Sequence, residues 1–327
     1  MKFLAKSDRT HVMRVVSLVA LVSCAVLALA TPFPAGASEI VTRNATRITL
    51  KTYNQGRAMV SYFQGGRMWH VFVSGAINAR EPNRTVPQVH FKKDYSGGRG
   101  QWKHFKNTCR PYNGPALAWY LRGCTASDGS YWALQMWQRM LPNVGYVPWT
   151  HGQKVWEVHV SHWTGETAQL DAYADWVYAG RFHEVFGRAT YRGKPVYGYK
   201  TTKSGNPLDT YGRLIFVDTF NSAYGQGWRR ENSFVAHKPS GMFCYGFYPY
   251  ASYGSYPPQR SVKLTGNGTR YRLTLYGPGV TPDVATYVNG LPDYDRENPS
   301  LFDWESEMTS KVKNMAAESG DRLCGHH

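Results

Sequence analysis

The sequence predicts a mainly β fold: an antiparallel β-sandwich or barrel-like single domain that ends in one α-helix. Three observations point there. Aromatic residues are abundant, with 23 Tyr, 14 Phe and 11 Trp, and such side chains suit a pleated, half-buried surface. Short alternating runs recur between clusters of Gly, Pro, Asn and Asp, the punctuation of strands and turns. No clear helical pattern separates the runs before residue 300, which favours antiparallel layers over a doubly wound sheet.

In chain order, the alternation places strands at 46–53, 57–63, 67–75, 86–92 and 116–122. YWALQMWQRML, at 131–141, fits a strand or a helix capped by Asp128 or Ser130; its aromatics favour the strand. Further strands follow at 154–163, 168–178, 183–191, 194–202, 212–220, 242–248 and 269–277. The helix spans about 300–318. Ser300 with Asp303 approximates a capping box, and Leu301, Trp304, Met308, Val312 and Met315 form one apolar stripe suited to packing. YPYASYGSYPP, at 248–258, reads as an exposed tyrosine-rich loop.

The N-terminus has the layout of a secretory leader. Lys2, Lys6, Arg9 and Arg14 precede an apolar run at 15–30, followed by TPFPAGAS, with cleavage expected after Ala30 or Ala37. LVSC, at 21–24, resembles a lipoprotein box, but the apolar run continues past Cys24. Residues 1–37 are therefore read as a signal peptide and 38–327 as one β-rich domain, secreted or held at the cell surface. No later segment reaches the roughly 20 apolar residues of a membrane span. Residues 1–37 hold four of the 38 basic residues and one of the 22 acidic ones. The remainder thus carries 34 against 21, a net charge of +13. Such a balance attracts anionic partners. Cys109, Cys124, Cys244 and Cys324 remain, an even set expected to form two disulfides in an exported chain. Cys109 with Cys124 is the favoured pair, worth roughly 3 kcal/mol, which leaves Cys244 with Cys324.

Two regions carry candidate chemistry. The first is a hairpin expected between 155–163 and 168–178. A three-residue loop, Thr164-Gly165-Glu166, would pair Trp156 with Ala174, Val158 with Ala172 and Val160 with Leu170, keeping both apolar sets on one side. On the other face His159 would oppose Asp171, and Glu157 would lie diagonal to Asp171 and Asp175, with Trp163 at the rim. That spacing suits the carboxylate pair of a glycosidase, with His159 tuning one acid. It suits equally a solvated face with cross-strand charge pairs. The second region is NSAYGQGWRRENSF, at 221–234. Gly225 and Gly227 favour a turn, while Tyr224, Trp228, Arg229, Arg230, Glu231 and Asn232 offer stacking faces and directional donors and acceptors. A polar network fixing that loop is the structural alternative.

Other motifs are missing or weak. No G-x-S-x-G, P-loop, H-E-x-x-H or dinucleotide fingerprint occurs. Asp293-Tyr-Asp295-Arg-Glu297 opens like a calcium loop, but Asn298 replaces its glycine and Trp304 its closing glutamate. Asn44, Asn83 and Asn267 head N-x-Thr acceptors. No cofactor, no metal and no nucleic acid partner are expected. The first functional expectation is a secreted, non-catalytic binder of carbohydrate or an anionic cell-surface polymer. A glycan-cleaving enzyme using Glu157 with Asp171 or Asp175 is the second, and a structural surface protein without a small ligand the third.

Overall fold

A computed structural model describes residues 38–319 except 54–55, 81–84, 139–154, 178–181, 202–206, 210–214, 223–224, 231–233, 238–239, 248–269, 276, 278–279 and 290–294. The fold is mostly strand, with antiparallel sheets and one C-terminal helix, as the alternation implies. No sheet closes into a barrel among the described residues.

The N-terminal half holds β1 (Glu39–Arg43), β2 (Thr46–Tyr53), β3 (Arg57–Gln64), β4 (Arg67–Gly75), β5 (Phe91–Asp94), β6 (Arg110–Pro111), β7 (Tyr120–Thr125), β8 (Tyr131–Gln138) and β9 (Trp156–Trp163). A kinked 3-10 segment, Gly98–His104, follows β5. Two sheets form, one ordered β1-β9-β8-β7-β6 and the other β2-β3-β4-β5. They share one apolar core: Val41, Trp132, Leu134, Val158 and Val160 from the first meet Ile48, Ala58, Val60, Val71 and Val73 from the second. Period-two alternation supplies one inward row per strand. The arrangement is sandwich-like.

The C-terminal half repeats the scheme. Its strands are β10 (Gln169–Val177), β11 (Phe182–Tyr191), β12 (Lys194–Pro195), β13 (Tyr197–Thr201), β14 (Pro207–Asp209), β15 (Ile215–Ser222), β16 (Gly225–Arg230), β17 (Phe234–His237), β18 (Met242–Phe247), β19 (Arg270–Leu275) and β20 (Val284–Asn289). One sheet is β10-β11-β18-β17 with β12 on β11; another is β16-β15-β19-β20; β13 and β14 form a ribbon. Val185, Ala189, Phe243 and Tyr245 face Val217, Tyr271, Leu273 and Leu275 across a second core. Helix α1 (Pro299–Ser319) covers the outer side of the β10-β11-β18-β17 sheet, where Val312, Met315 and Ala316 pack on Tyr173, Phe186, Met242 and Cys244. The apolar stripe is therefore packing.

Several expectations need correction. The hairpin of 155–163 with 168–178 does not form. β9 lies between β1 and β8, with Glu157 across from Arg43 and Trp137, while β10 pairs β11. Both edges of β9 are taken, so the chain leaves through Gly165 (φ 74) for another sheet. The expected polar face misled because Ser161 and Trp163, on that face, are as buried as Val160. Trp156, used to set the register, is 43% exposed, and Trp176 only 6%. The turn placed at Gly225 and Gly227 is strand β16, paired with β15 through an irregular register between Phe220 and Ser222. The helix cap is Asn298, whose Oδ1 accepts from the Ser300 N–H at 3.1 Å, with Pro299 in the first turn. Strand 131–138 is a strand as favoured. Short β1 and the strand β20 carry too little alternation to be read.

Cys109 and Cys124 form a disulfide with Cα atoms 5.3 Å apart. Cys244 is also disulfide-bonded; Cys324 lies outside the described residues. No helix among the described residues is long and apolar enough to cross a membrane.

Candidate functional site: a basic, aromatic cleft

The outward face of the β2-β3-β4-β5 sheet is where chemistry gathers. The register sets Tyr53, Arg57, Ser74 and Lys92 in one row across the four strands. The next row is Lys51, Met59, Phe72 and Asp94, and beyond it stand Thr49, Ser61 and His70. Neighbouring strands lie about 4.8 Å apart, so the Arg57 and Lys92 backbones stand about 10 Å from each other.

The chain after β5 folds back over this face and makes it concave. Asp94 Oδ1 accepts from the Ser96 N–H at 2.8 Å and Oδ2 from the Gly98 N–H at 3.2 Å. Its bond to the Ser96 side chain, with the backbone N–H groups, holds the carboxyl below the usual carboxylate range. Gly98, at φ 63, lies so close to the sheet that a Cβ there would stand 2.5 Å from the Phe72 ring. Trp102 stacks on His70 with centroids 3.9 Å apart, and Phe105 meets Tyr53 at 6.0 Å and Phe72 at 5.4 Å. Beyond it, Thr108 N–H donates to Thr52 O at 2.8 Å and Asn107 Oδ1 accepts from Thr52 N–H, which places Lys106 at the rim.

The result is a cleft of about 530 Å³ with Arg57, Lys92, His104 and Lys106 around aromatic walls of Tyr53, Phe72 and Phe105. Alternation separates the two adjacent lysines of β5. Lys93 reaches Glu39 at 2.8 Å, while Lys92 is exposed on the cleft face. Among the described residues no acidic side chain pairs with Arg57, Lys92 or Lys106. Charge follows the same half: residues 38–137 hold fourteen Lys and Arg against four Asp and Glu, a net of +10 out of +13. Burial pushes the His70 imidazole down, and Lys51 adds to it; its Nδ1 meets Ser61 Oγ at 2.8 Å.

The sequence-derived candidates lie elsewhere. Glu157 and His159 are together on β9: Glu157 Oε1 accepts from Arg43 Nε at 3.0 Å and Oε2 lies 3.4 Å from His159 Nε2. His159 also stacks on Trp137 at 4.0 Å and contacts Ser38 O at 2.9 Å. The His159 bond, with that of Arg43, holds the Glu157 carboxyl low. Asp171 and Asp175 sit on β10 in a different sheet. Asp171 is exposed, across from Arg188, while Asp175 is fully buried and its Oδ1 accepts from Trp176 N–H at 2.7 Å. The hairpin that was to join the three carboxylates is absent.

In the second region, register sets Trp228 across from Phe220, Arg229 across from Thr219 and Arg230 across from Asp218. Tyr224, Glu231 and Asn232 lie outside the described residues, as does the 248–258 segment. Asp218 is bonded to Arg272 at 2.9 Å.

One further group looks catalytic and is not arranged so. Ser130 Oγ lies 2.9 Å from His162 Nε2, but Asp128 accepts from the serine at 2.6 Å, and His162 Nδ1 faces Gly75 O at 2.9 Å. A nucleophile–base pair needs its carboxylate on the histidine, and Ser130 and His162 are 2% and 1% exposed. The group ties the β7–β8 turn to β4 and β9. Among the described residues no cluster of His, Cys, Asp and Glu fits a metal ion.

Sequence reading missed the cleft because its cations are scattered in sequence and meet only through cross-strand register. The signal that was present is the bias of charge toward residues 38–137. The chain matches no protein family, no curated protein and no solved structure.

Proposed function

We propose that the protein is a secreted, non-catalytic binder of an acidic carbohydrate polymer, and that the cleft on the β2-β3-β4-β5 sheet is its binding surface. One observation carries this: Arg57, Lys92 and Lys106 line an aromatic cleft of about 530 Å³ without acidic partners among the described residues. Tyr53, Phe72 and Phe105 supply apolar walls for sugar rings, and the cations supply charge-assisted hydrogen bonds to carboxylate, sulfate or phosphate groups. Export is supported by the basic-then-apolar leader pattern and is compatible with the Cys109–Cys124 disulfide.

Catalysis by Glu157 with Asp171 or Asp175 has lost its geometric basis, and a carboxyl held low is a poor general acid. The test is retention of residues 38–327 on immobilised polygalacturonate beside neutral dextran. Binding to the polyanion alone, weakened by salt and about threefold to fivefold by Lys92→Ala or Arg57→Ala, is expected. No new reducing ends should appear. Equal retention on dextran overturns the anionic reading. Loss on Trp228→Ala or Arg230→Ala, with Lys92→Ala unaffected, moves the site to β16.

A further inference from the structure

Two more depressions lie on the same half. One, about 330 Å³, is lined by Arg67, Met68, Trp69, His70, Tyr95 and Trp102 among its residues. The other, about 390 Å³, includes Arg43, Tyr62, Trp69 and Tyr95. Trp69 and Tyr95 belong to both, so the two are contiguous.

Strand β4 joins them to the cleft. Ser74 and Phe72 line the first cleft, and His70 and Met68 line the second. All four alternate onto the outward face. The Gly97–Trp102 segment stands between the two, with Gly98 over Phe72 and Trp102 over His70. Its grip on the sheet makes it a fixed divider.

Cations stand at both ends of this path. Arg67 lies seven residues from Ser74 along β4, about 23 Å at the rise of an extended strand. The odd spacing puts Arg67 and Trp69 on the opposite row, and they line the second depression at the edge of β4 that β5 leaves unpaired before Phe72. Its guanidinium sits over the Trp69 ring at 3.6 Å, which orients the group while leaving its charge intact. Arg67 is exposed and has no acidic partner among the described residues. A small anion held by Arg57 and Lys92 does not reach it. A chain with a negative charge on each unit does.

We infer that the ligand is an extended acidic polysaccharide strand occupying the cleft and the Arg67 depression at once, passing round the Gly97–Trp102 divider to the β4 edge that β5 leaves unpaired. This rests on the cleft being the binding surface and adds that binding is a multisite contact with a chain. Each further unit in register adds a charge contact and excludes water from an aromatic edge, so affinity rises with chain length until Arg67 is reached.

The experiment is calorimetric titration of residues 38–327 with size-defined oligogalacturonates, from dimer to octamer, at fixed ionic strength. Wild type is expected to bind the octamer at least about tenfold more tightly than the dimer after correction for the number of registers. Arg67→Ala should weaken the octamer about fivefold and leave the dimer unchanged. Lys92→Ala should weaken both alike. Thermal melts of each variant matching wild type separate this from unfolding. Flat affinity across lengths, or an Arg67→Ala effect on dimer and octamer alike, overturns the two-site path while leaving the single cleft standing. No binding at any length overturns the cleft reading itself. A single-stranded oligonucleotide of equal charge binding more tightly than the octamer overturns the polysaccharide assignment.

Discussion

Single side chains set the geometry and the titration of the N-terminal half. Glu157 has its carboxyl pKa lowered by the His159 and Arg43 bonds. A depressed carboxylate contributes stability that is fully present above its unfolded value, about 4.3, and is lost as pH falls through the lower folded value. Glu157→Gln should therefore cost stability at neutral pH and progressively less below about pH 4, so the variant and wild-type melting curves converge in acid. A constant gap across that range would show that the glutamate acts through packing alone. At Gly98 the constraint is steric. Gly98→Ala combines positive φ with a Cβ at 2.5 Å from Phe72, a cost of about 1–3 kcal/mol from overcrowding. Gly100→Ala, at φ 101 with no atom within 4 Å, bears the backbone cost alone. The first should lower both melting temperature and oligogalacturonate affinity; the second should spare affinity. The steric constraint at Gly98 was not legible in the sequence. Which glycine touches the sheet depends on the fold-back that Asp94 anchors.

At the scale of elements, alternation located most strands, because one inward row per strand is what a two-sheet core demands. It failed on partners. β9 and β10 are neighbours in sequence with a short connection, and pairing them kept both apolar sets on one side. The pairing fails because Ser161, His162 and Trp163 are all buried, the pattern of a central strand whose partners are β1 and β8. Polar residues buried on both faces look, in sequence, like a solvated face. The helix shows the same gain and loss: its stripe was legible, its cap was placed two residues late. Asn298→Ala should lower stability by about 1 kcal/mol, whereas Ser300→Ala should stay within about 0.5 kcal/mol of wild type, read from urea denaturation midpoints. Equal costs for the two would return the cap to Ser300.

For the whole molecule, the two cores meet through polar groups. Gln135, fully buried on β8, donates to the carbonyls of Ala118 and Asp283 and accepts from the Asp283 N–H at 2.9 Å. Beside it Arg272 of β19, bonded to Asp218, lies over the Trp119 ring at 3.9 Å. Val280, from the loop after β19, packs into the N-terminal core. One amide thus bonds to both halves, where an apolar side chain would leave backbone groups without those bonds. Gln135→Leu keeps the volume and removes three hydrogen bonds, a loss of roughly 3 kcal/mol at about 1 kcal/mol each. Because two of the three lost bonds join two separately packed cores, the effect should extend beyond stability. Wild type is expected to unfold in one transition, with intrinsic tryptophan fluorescence and far-UV dichroism coincident. In Gln135→Leu the transition should broaden, and the two signals should separate as one core melts before the other. The half carrying the cleft should still bind oligogalacturonate below its own melting point, since none of the cleft residues touches Gln135. A single sharp transition shifted to lower denaturant would mean that the cores are coupled through Val280 and the Arg272–Trp119 contact instead, and that the amide only adds stability to a junction already formed.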